Sequence, residues 1–162
     1  TLVATDQGLR AVMWPVEREG RISLPTEIVS NTDHPVLNAT RLQLEEYFEG
    51  RRTEFNLPLD LRGTDFQRSA WLALASIPYG ETTSYSVQAE RVGRPRAVRA
   101  IGAANGRNPV SIVLPCHRVV GARGDLTGFA SGIETKRDLL AFEAEHHQSL
   151  ARFTSLLATE NH

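Results

Sequence analysis

The hydrophobic pattern along the chain changes period several times, and each change marks an element. Alternating apolar positions in "LVATDQGLRAVMW" predict two strands around an Asp6-Gln7-Gly8 turn, a hairpin signal. In "DHPVLNATRLQLEEYFEG" the period lengthens to that of an amphipathic helix. Asp33 is placed to cap it, Pro35 sits in its first turn, Leu37, Leu44 and Phe48 share a stripe, and Gly50 ends it. Phe55, Leu57 and Leu59 in "TEFNLPLDL" alternate again, which predicts a half-buried strand.

Beyond Gly63 the pattern becomes mainly helical. Thr64 and Gln67 have capping-box spacing, and Phe66, Ala70, Leu74 and Ile77 form one face until Pro78-Tyr79-Gly80 stops the helix. Two short helices follow, over 84–92 and 95–105, divided by Gly93-Arg94, with Pro95 in the first turn of the second. That arrangement fits a helix-turn-helix, although an ordinary helical hairpin has the same spacing. "NPVSIVLP" over 108–115 predicts a short apolar strand leading into Cys116. The glycine-spaced "GARGDLTGFASG" reads as a loop or a hairpin. Ser131 and Glu134 repeat the capping spacing and open a last helix, "IETKRDLLAFEAE". The tail beyond Glu145 is weakly amphipathic and carries no evident chemistry.

Charge divides the chain near the same place as the pattern does. Residues 1–65 carry 11 acids and 7 bases, and residues 66–162 carry 8 acids and 11 bases, within a net charge of −1. We therefore expect two domains, 1–62 and 63–162. The fold class expected is α+β: a small N-terminal α/β domain with an antiparallel sheet, and a mainly helical C-terminal domain with a helix-turn-helix and the cysteine. Residues 94–124 hold six arginines and no acid, which fits a polyanion met on one face. Because 17 of the 18 bases are arginine, a solvated basic surface explains the stripe as well. The second helix is nearly all small residues and arginine, with Ala97, Ala100, Gly102 and Ala103 beside Arg96 and Arg99. Such a helix can approach DNA closely, or pack closely against another helix.

At 162 residues the chain can bury a substantial core, and no apolar run approaches the roughly 20 residues of a membrane helix. No secretory signal opens it, and it starts at Thr1 rather than methionine. Cys116 is the sole cysteine, so an internal disulfide is impossible and a reducing, cytoplasmic setting is expected. A lone cysteine is more often a small buried hydrophobe than a nucleophile. Here it follows an apolar segment and precedes a glycine-rich loop, and His117 and Arg118 beside it favour the thiolate. Sequence neighbours in an extended segment point apart, so His117 would reach Cys116 through a water, with an acceptor elsewhere orienting the ring. One cysteine beside one histidine cannot close a zinc tetrahedron, and no metal or other cofactor is expected.

"PCHRVVG", preceded by "NGRNPVSIVL" and "AVRAIG", resembles the active-site core of the methylated-DNA–protein-cysteine methyltransferases, which repair O6-alkylguanine. The resemblance runs from Asp65 to Glu143 and takes in "IPYGETTSY" and the K-x-x-LL-x-x-E ending on the last helix. Residues 1–62 resemble that family's smaller N-terminal domain less specifically. The resemblance implies Cys116 as alkyl acceptor, His117 as water-mediated base, and Glu143 as the carboxylate orienting it. It implies Asn108 as the brace of the active-site turn and Tyr85 as the residue beside the target phosphate that assists proton transfer. Arg99 would fill the gap left by a flipped base, and Ala97–Gly106 would be a recognition helix lying in the minor groove of double-stranded DNA. Arg96 and Arg107 would add contacts to that DNA, and Val119, Phe129, Ala130 and Ser131 would wall the guanine pocket. The protein would act as a monomer, with cooperativity on DNA left open.

Some positions depart from that pattern. Phe129 stands where many members have tyrosine, and Ala130-Ser131 replace a serine-glycine or glycine-glycine pair, which leaves the preferred alkyl group open. The N-terminal half lacks the cysteines with which some members bind zinc. Two rival functions remain: a cysteine hydrolase using Cys116, His117 and Glu143, and a DNA-binding or lesion-sensing module in which Cys116 is incidental.

Overall fold

The computed structural model describes residues 1–160. The N-terminal hairpin forms as expected, with β1 (Leu2–Thr5) antiparallel to β2 (Gly8–Val12) and an irregularity between Val3 and Ala4 that gives β2 one extra residue. All of β2 is buried, because both of its edges are covered. Leu9 N donates to Pro58 O at 2.8 Å, Asp60 N donates to Leu9 O at 2.9 Å, and Val12 N donates to Pro109 O at 2.8 Å. A Cβ at Gly8 would lie 2.5 Å from Pro58 O, so this position has room for glycine alone.

The segment expected as a strand over Phe55–Leu59 is extended but pairs through only one bridge, Leu9 to Leu59. Pro58 has no N–H to give a ladder, which limits the pairing to its carbonyl. Helix α1 (Pro35–Phe48) is capped by His34, whose Nδ1 accepts from Val36 N at 3.2 Å, rather than by Asp33. Its buried face is also rotated from the expected one. Thr40, Gln43 and Tyr47 are buried, while Phe48 is exposed.

Helix α2 (Asp65–Ala73) begins at the expected capping box, with both reciprocal bonds between Thr64 and Gln67 formed. Helices α3 (Tyr85–Arg91) and α4 (Val98–Gly106) follow β3 (Thr83–Ser84). Gly93, at φ +72, closes α3: Gly93 N donates to Glu90 O and Arg94 N to Ala89 O, a Schellman ending. The connection is longer than expected. Pro95 lies in a turn closed by Ala97 N on Arg94 O, and α4 starts only at Val98. Gln88 and Asn105 exchange side-chain hydrogen bonds at 2.9 and 2.8 Å, and Gln88 also donates to Ala70 O, which locks α3 and α4 onto α2.

Residues 108–115 are not a strand. They fold into a tight turn, with Ser111 bridged to Leu114, Leu114 N donating to Val110 O, and Ile112 at φ +73. A β-branched residue in the left-handed region is strained, so the surroundings must hold it there. Cys116–Arg118 form one 3-10 turn leading into β4 (Val119–Val120), which pairs parallel with β3. Helix α5 (Ile133–Glu160) starts after Gly132, one residue later than the Ser131 cap predicts, and continues past Glu145. No described helix is long and apolar enough to cross a membrane. The largest apolar cluster joins Leu9 and Val12 of the first half to Trp71, Val110, Leu114 and Val119 of the second, with Cys116 at its margin.

Candidate active site

Asn108 makes the turn that carries the cysteine. Its Nδ2 donates to Leu114 O at 2.7 Å, and its Oδ1 accepts from Val110 N at 3.0 Å, so one side chain closes the loop across six residues. Cys116 N then donates to Leu114 O at 2.9 Å, which fixes the first residue of the 3-10 turn. Cys116 is 6% exposed and lines a cavity of ≈ 500 Å³. Tyr85, Arg99 and Gly102 form one side of it, and Phe129 and Ala130 another. That volume is ordinary for a small-molecule or base pocket.

Behind the cysteine, His117 and Glu143 are both fully buried, and His117 Nε2 lies 2.7 Å from Glu143 Oε1. The carboxylate collects further donors. Arg118 gives Nε to Oε2 at 2.8 Å and Nη2 to Oε1 at 2.9 Å, Tyr47 gives its hydroxyl to Oε1 at 2.7 Å, and Gly80 N approaches Oε2 at 3.3 Å. Burial alone would raise the Glu143 pKa. The bonds from His117 and Arg118 outweigh it and hold the group at about 2. His117 is also lowered, but by the opposite cause: desolvation pulls its pKa down while Glu143 opposes, so the ring is neutral at pH 7. Its Nδ1 is buried without a protein partner among the described residues.

The thiol is raised by burial, while the Asn108 amide and the cations of Lys136 and Arg21 pull it down. The expectation that Arg118 favours the thiolate needs correcting, because its guanidinium is committed to Glu143 and to Ile77 O. Lys136 takes that place instead. It is fully buried and donates to Val119 O at 2.6 Å, Thr127 O at 3.0 Å and the Tyr85 hydroxyl at 3.3 Å. Tyr85 itself donates to Thr127 O at 3.1 Å, so the lysine and the tyrosine together moor the loop before α5.

The remaining expected residues fall in two groups. Arg96, Arg99, Ala100, Ala103 and Arg107 are exposed along α4 and its flanks, with Ala97 and Gly102 half-buried beside them. Ile101, Ala104 and Asn105 face inward, so the small-residue side of the helix is the one left open. A Cβ at Gly102 would meet the Tyr85 ring at 4.0 Å, ordinary contact, so packing does not demand glycine there. Arg107 reaches back to Gly20 O at 3.5 Å. Val119 is buried in the core and offers its carbonyl to Lys136, and Ser131 precedes α5; the cavity's lining includes neither.

Tyr47 and Arg21 join the site without having been singled out, and Lys136 entered only as the lysine of the K-x-x-LL-x-x-E ending, with no role assigned. That role had a signal, since Lys136 is the one lysine of the chain and stands on the apolar side of a helix. Tyr47→Phe removes one bond to an ionised, buried carboxylate, so we expect a loss of about 1.5–3 kcal/mol in denaturant unfolding. His117 keeps its own contact in that variant, so reactivity at Cys116 should change little.

The comparisons with known proteins bear on the same residues. A family model described as 6-O-methylguanine DNA methyltransferase, DNA binding domain, matches residues 65–145, and one described as its ribonuclease-like domain matches residues 1–61. The chain belongs to the 6-O-methylguanine DNA methyltransferase family. Within it, a methylated-DNA–protein-cysteine methyltransferase of Methanosarcina barkeri is 44% identical over 142 residues, 88% of each chain. One of Mycolicibacterium paratuberculosis is 58% identical over 104 residues, 64% of this chain and 63% of its own, so the match spans less than two thirds of that relative. The crystal structure of Mycobacterium tuberculosis OGT in complex with DNA superposes with a TM-score of 0.76 at 43% identity, covering 90% of this chain and 86% of the other. The family's α+β architecture, with the cysteine in the helical second half, is the one described above.

Proposed function

We propose that this protein repairs O6-alkylguanine in double-stranded DNA by moving the alkyl group irreversibly onto Cys116, once per molecule. The observation carrying this reading is a thiol at the wall of a base-sized cavity, backed by a buried, neutral His117 held by an ionised Glu143. The thiol proton passes through a water to His117 Nδ1, and Glu143 steadies the imidazolium that results. The thiolate then attacks the O6 carbon in line. A carbon–sulfur bond forms, the carbon–oxygen bond breaks, and the guanine anion is reprotonated with help from Tyr85. A thioether resists hydrolysis, and with one cysteine in the chain nothing regenerates the thiol.

The target atom is inside the duplex, so the nucleotide must rotate out at a cost of a few kcal/mol. The exposed small-residue face of α4 suits close approach to the minor groove, Arg99 on the cavity lining suits the vacated stack, and Arg96 and Arg107 suit the phosphates. Asn108 braces the reactive turn, and Phe129 and Ala130 flank the alkyl group. We assign residues 1–62 to a supporting domain and 63–162 to the reacting one, a division the two family matches favour. A reducing, cytoplasmic setting is consistent with one free cysteine, and we take the working unit to be a monomer.

Mixing the protein with duplex bearing O6-methylguanine and weighing the intact chain tests the reading. A gain of one methyl group mapped to Cys116 is expected, and an unchanged mass with intact substrate refutes it. Binding should weaken steeply with salt. Arg99→Ala should slow repair of a paired lesion by roughly tenfold or more, on the stacking energies typical of such contacts, while sparing reaction with free O6-alkylguanine base. Equal slowing of both substrates would remove the flipping role of Arg99.

A further inference from the structure

The loop between β2 and α1 does more than connect them. Arg21, 3% exposed, crosses from this loop to the reactive turn and donates Nη1 to Asn108 O at 2.8 Å. Its Nε pairs with Glu17, whose other oxygen accepts from Trp14 N at 3.0 Å. The Trp14 ring in turn stands edge-on to Phe129, 5.7 Å between centroids, so the loop supports the far wall of the cavity as well. Arg18 and Arg21 both line the cavity that contains Cys116, and Arg21 Nη2 is buried without a protein partner among the described residues.

These contacts tie the first half of the chain to the cysteine in two ways. Mechanically, Asn108 is gripped by Arg21 at its carbonyl and grips Leu114 and Val110 with its side chain, one bond away from Cys116 N. Electrically, a buried guanidinium acts over several ångströms with little screening. We infer that Arg21 is a positioning residue for alkyl transfer, contributed by the N-terminal half: it clamps the Asn108 turn and lays a buried cation along the cavity where the Cys116 sulfur must carry negative charge. This rests on the alkyl-transfer reading and adds a working role for residues 14–21. The other charged or ionisable groups facing the cysteine are Lys136 from α5, Arg99 from α4, Tyr85 from α3 and Arg18 from the same loop, with His117 and Glu143 behind it. Glu17 offsets part of the Arg21 charge, so its removal should act in the opposite sense to removal of the arginine.

The single cysteine allows a direct test on the whole protein. Labelling it with carbon-13 at Cβ and following its NMR shift with pH gives the ionisation midpoint of Cys116 without DNA. For Arg21→Met the midpoint should rise by about one unit, roughly a tenfold loss of thiolate at fixed pH. Arg21→Lys should restore most of the shift, and Glu17→Gln should lower the midpoint below that of the unaltered protein. A purely structural loop would not produce shifts of opposite sign. A Glu17→Gln midpoint matching that of the unaltered chain would overturn the inference even if Arg21→Met failed to fold. The methyl-uptake measurement is run beside it on the unaltered protein. Methyl uptake with unmoved midpoints removes only the role of Arg21, whereas shifted midpoints without uptake remove the alkyl-transfer reading.

Discussion

Glu143→Gln should cost both stability and reactivity, and by different routes. The carboxylate accepts from Tyr47, His117 and Arg118 in a site closed to solvent. Removing its charge leaves the Arg118 guanidinium buried and unpaired, which typically costs 3–5 kcal/mol. The same change removes the anion that stabilises a protonated His117, and a loss of about 10²–10⁴-fold in alkyl transfer follows from weakened general-base action. The double variant Glu143→Gln with Arg118→Met separates the two effects. It should regain much of the stability, because the stranded cation is gone, and none of the reactivity. If the double variant recovered both, Glu143 would be a structural group only.

The same carboxylate predicts how the fold responds to acid. Its pKa is about 2 when folded, against 4.5 ordinarily, so its contribution is full above pH 4.5 and is lost as pH falls from there toward 2. The gap corresponds to roughly 3 kcal/mol. His117 adds to the loss from higher pH. Its folded pKa lies below 6.5, so the unfolded chain takes up its proton first and stability starts to decline near that value. Unfolding followed from pH 7 to pH 2 should therefore show a decline beginning near 6.5 and steepening below 4.5. Glu143→Gln should flatten the lower part and leave the upper part in place.

How much of this was legible in the sequence depended on the range of the interactions involved. The hairpin, the Thr64–Gln67 box and the Gly93 ending rest on contacts within a few residues, so spacing and residue type were enough. The turn over 108–115 was not. Its apolar run has the composition of a strand, but Asn108 reaching Leu114 with its side chain, with Leu114 N on Val110 O, folds it back around Ile112 in a left-handed conformation. The strand expected over Phe55–Leu59 failed for a related reason, since alternation survives but Pro58 cannot complete a ladder. Within the site, Cys116, His117 and Glu143 were reached through a resemblance rather than from periodicity. Tyr47 stayed hidden because the helix face that buries it also carries Thr40 and Gln43, polar residues that satisfy themselves on Val36 O and Asn56. Arg21 looked like one arginine among 17, and its role depends on a contact 87 residues away.

Replacing Cys116 with serine or with alanine should abolish methyl uptake completely while leaving DNA binding intact. The sulfur is the one soft, ionisable nucleophile on the cavity wall. A serine hydroxyl in the same place would stay protonated, and even with His117 nearby it would be a poor nucleophile toward saturated carbon. Uptake into Cys116→Ser should therefore be undetectable by intact mass over times in which the unaltered chain reacts fully. Binding rests on other groups. Arg96, Arg99 and Arg107 lie along α4 and its flanks, exposed and untouched by the change, so the slope of binding constant against salt should be the same for both proteins. Loss of uptake with an unchanged slope assigns the chemistry to the sulfur and the recognition to the helix. Persistent methyl uptake in Cys116→Ala would place the acceptor elsewhere. Were uptake absent in the unaltered protein and binding the same in all three, the lesion-sensing reading would hold and the cysteine would be incidental. A hydrolase differs from both, because it would turn over many substrate molecules per chain and leave the protein mass unchanged.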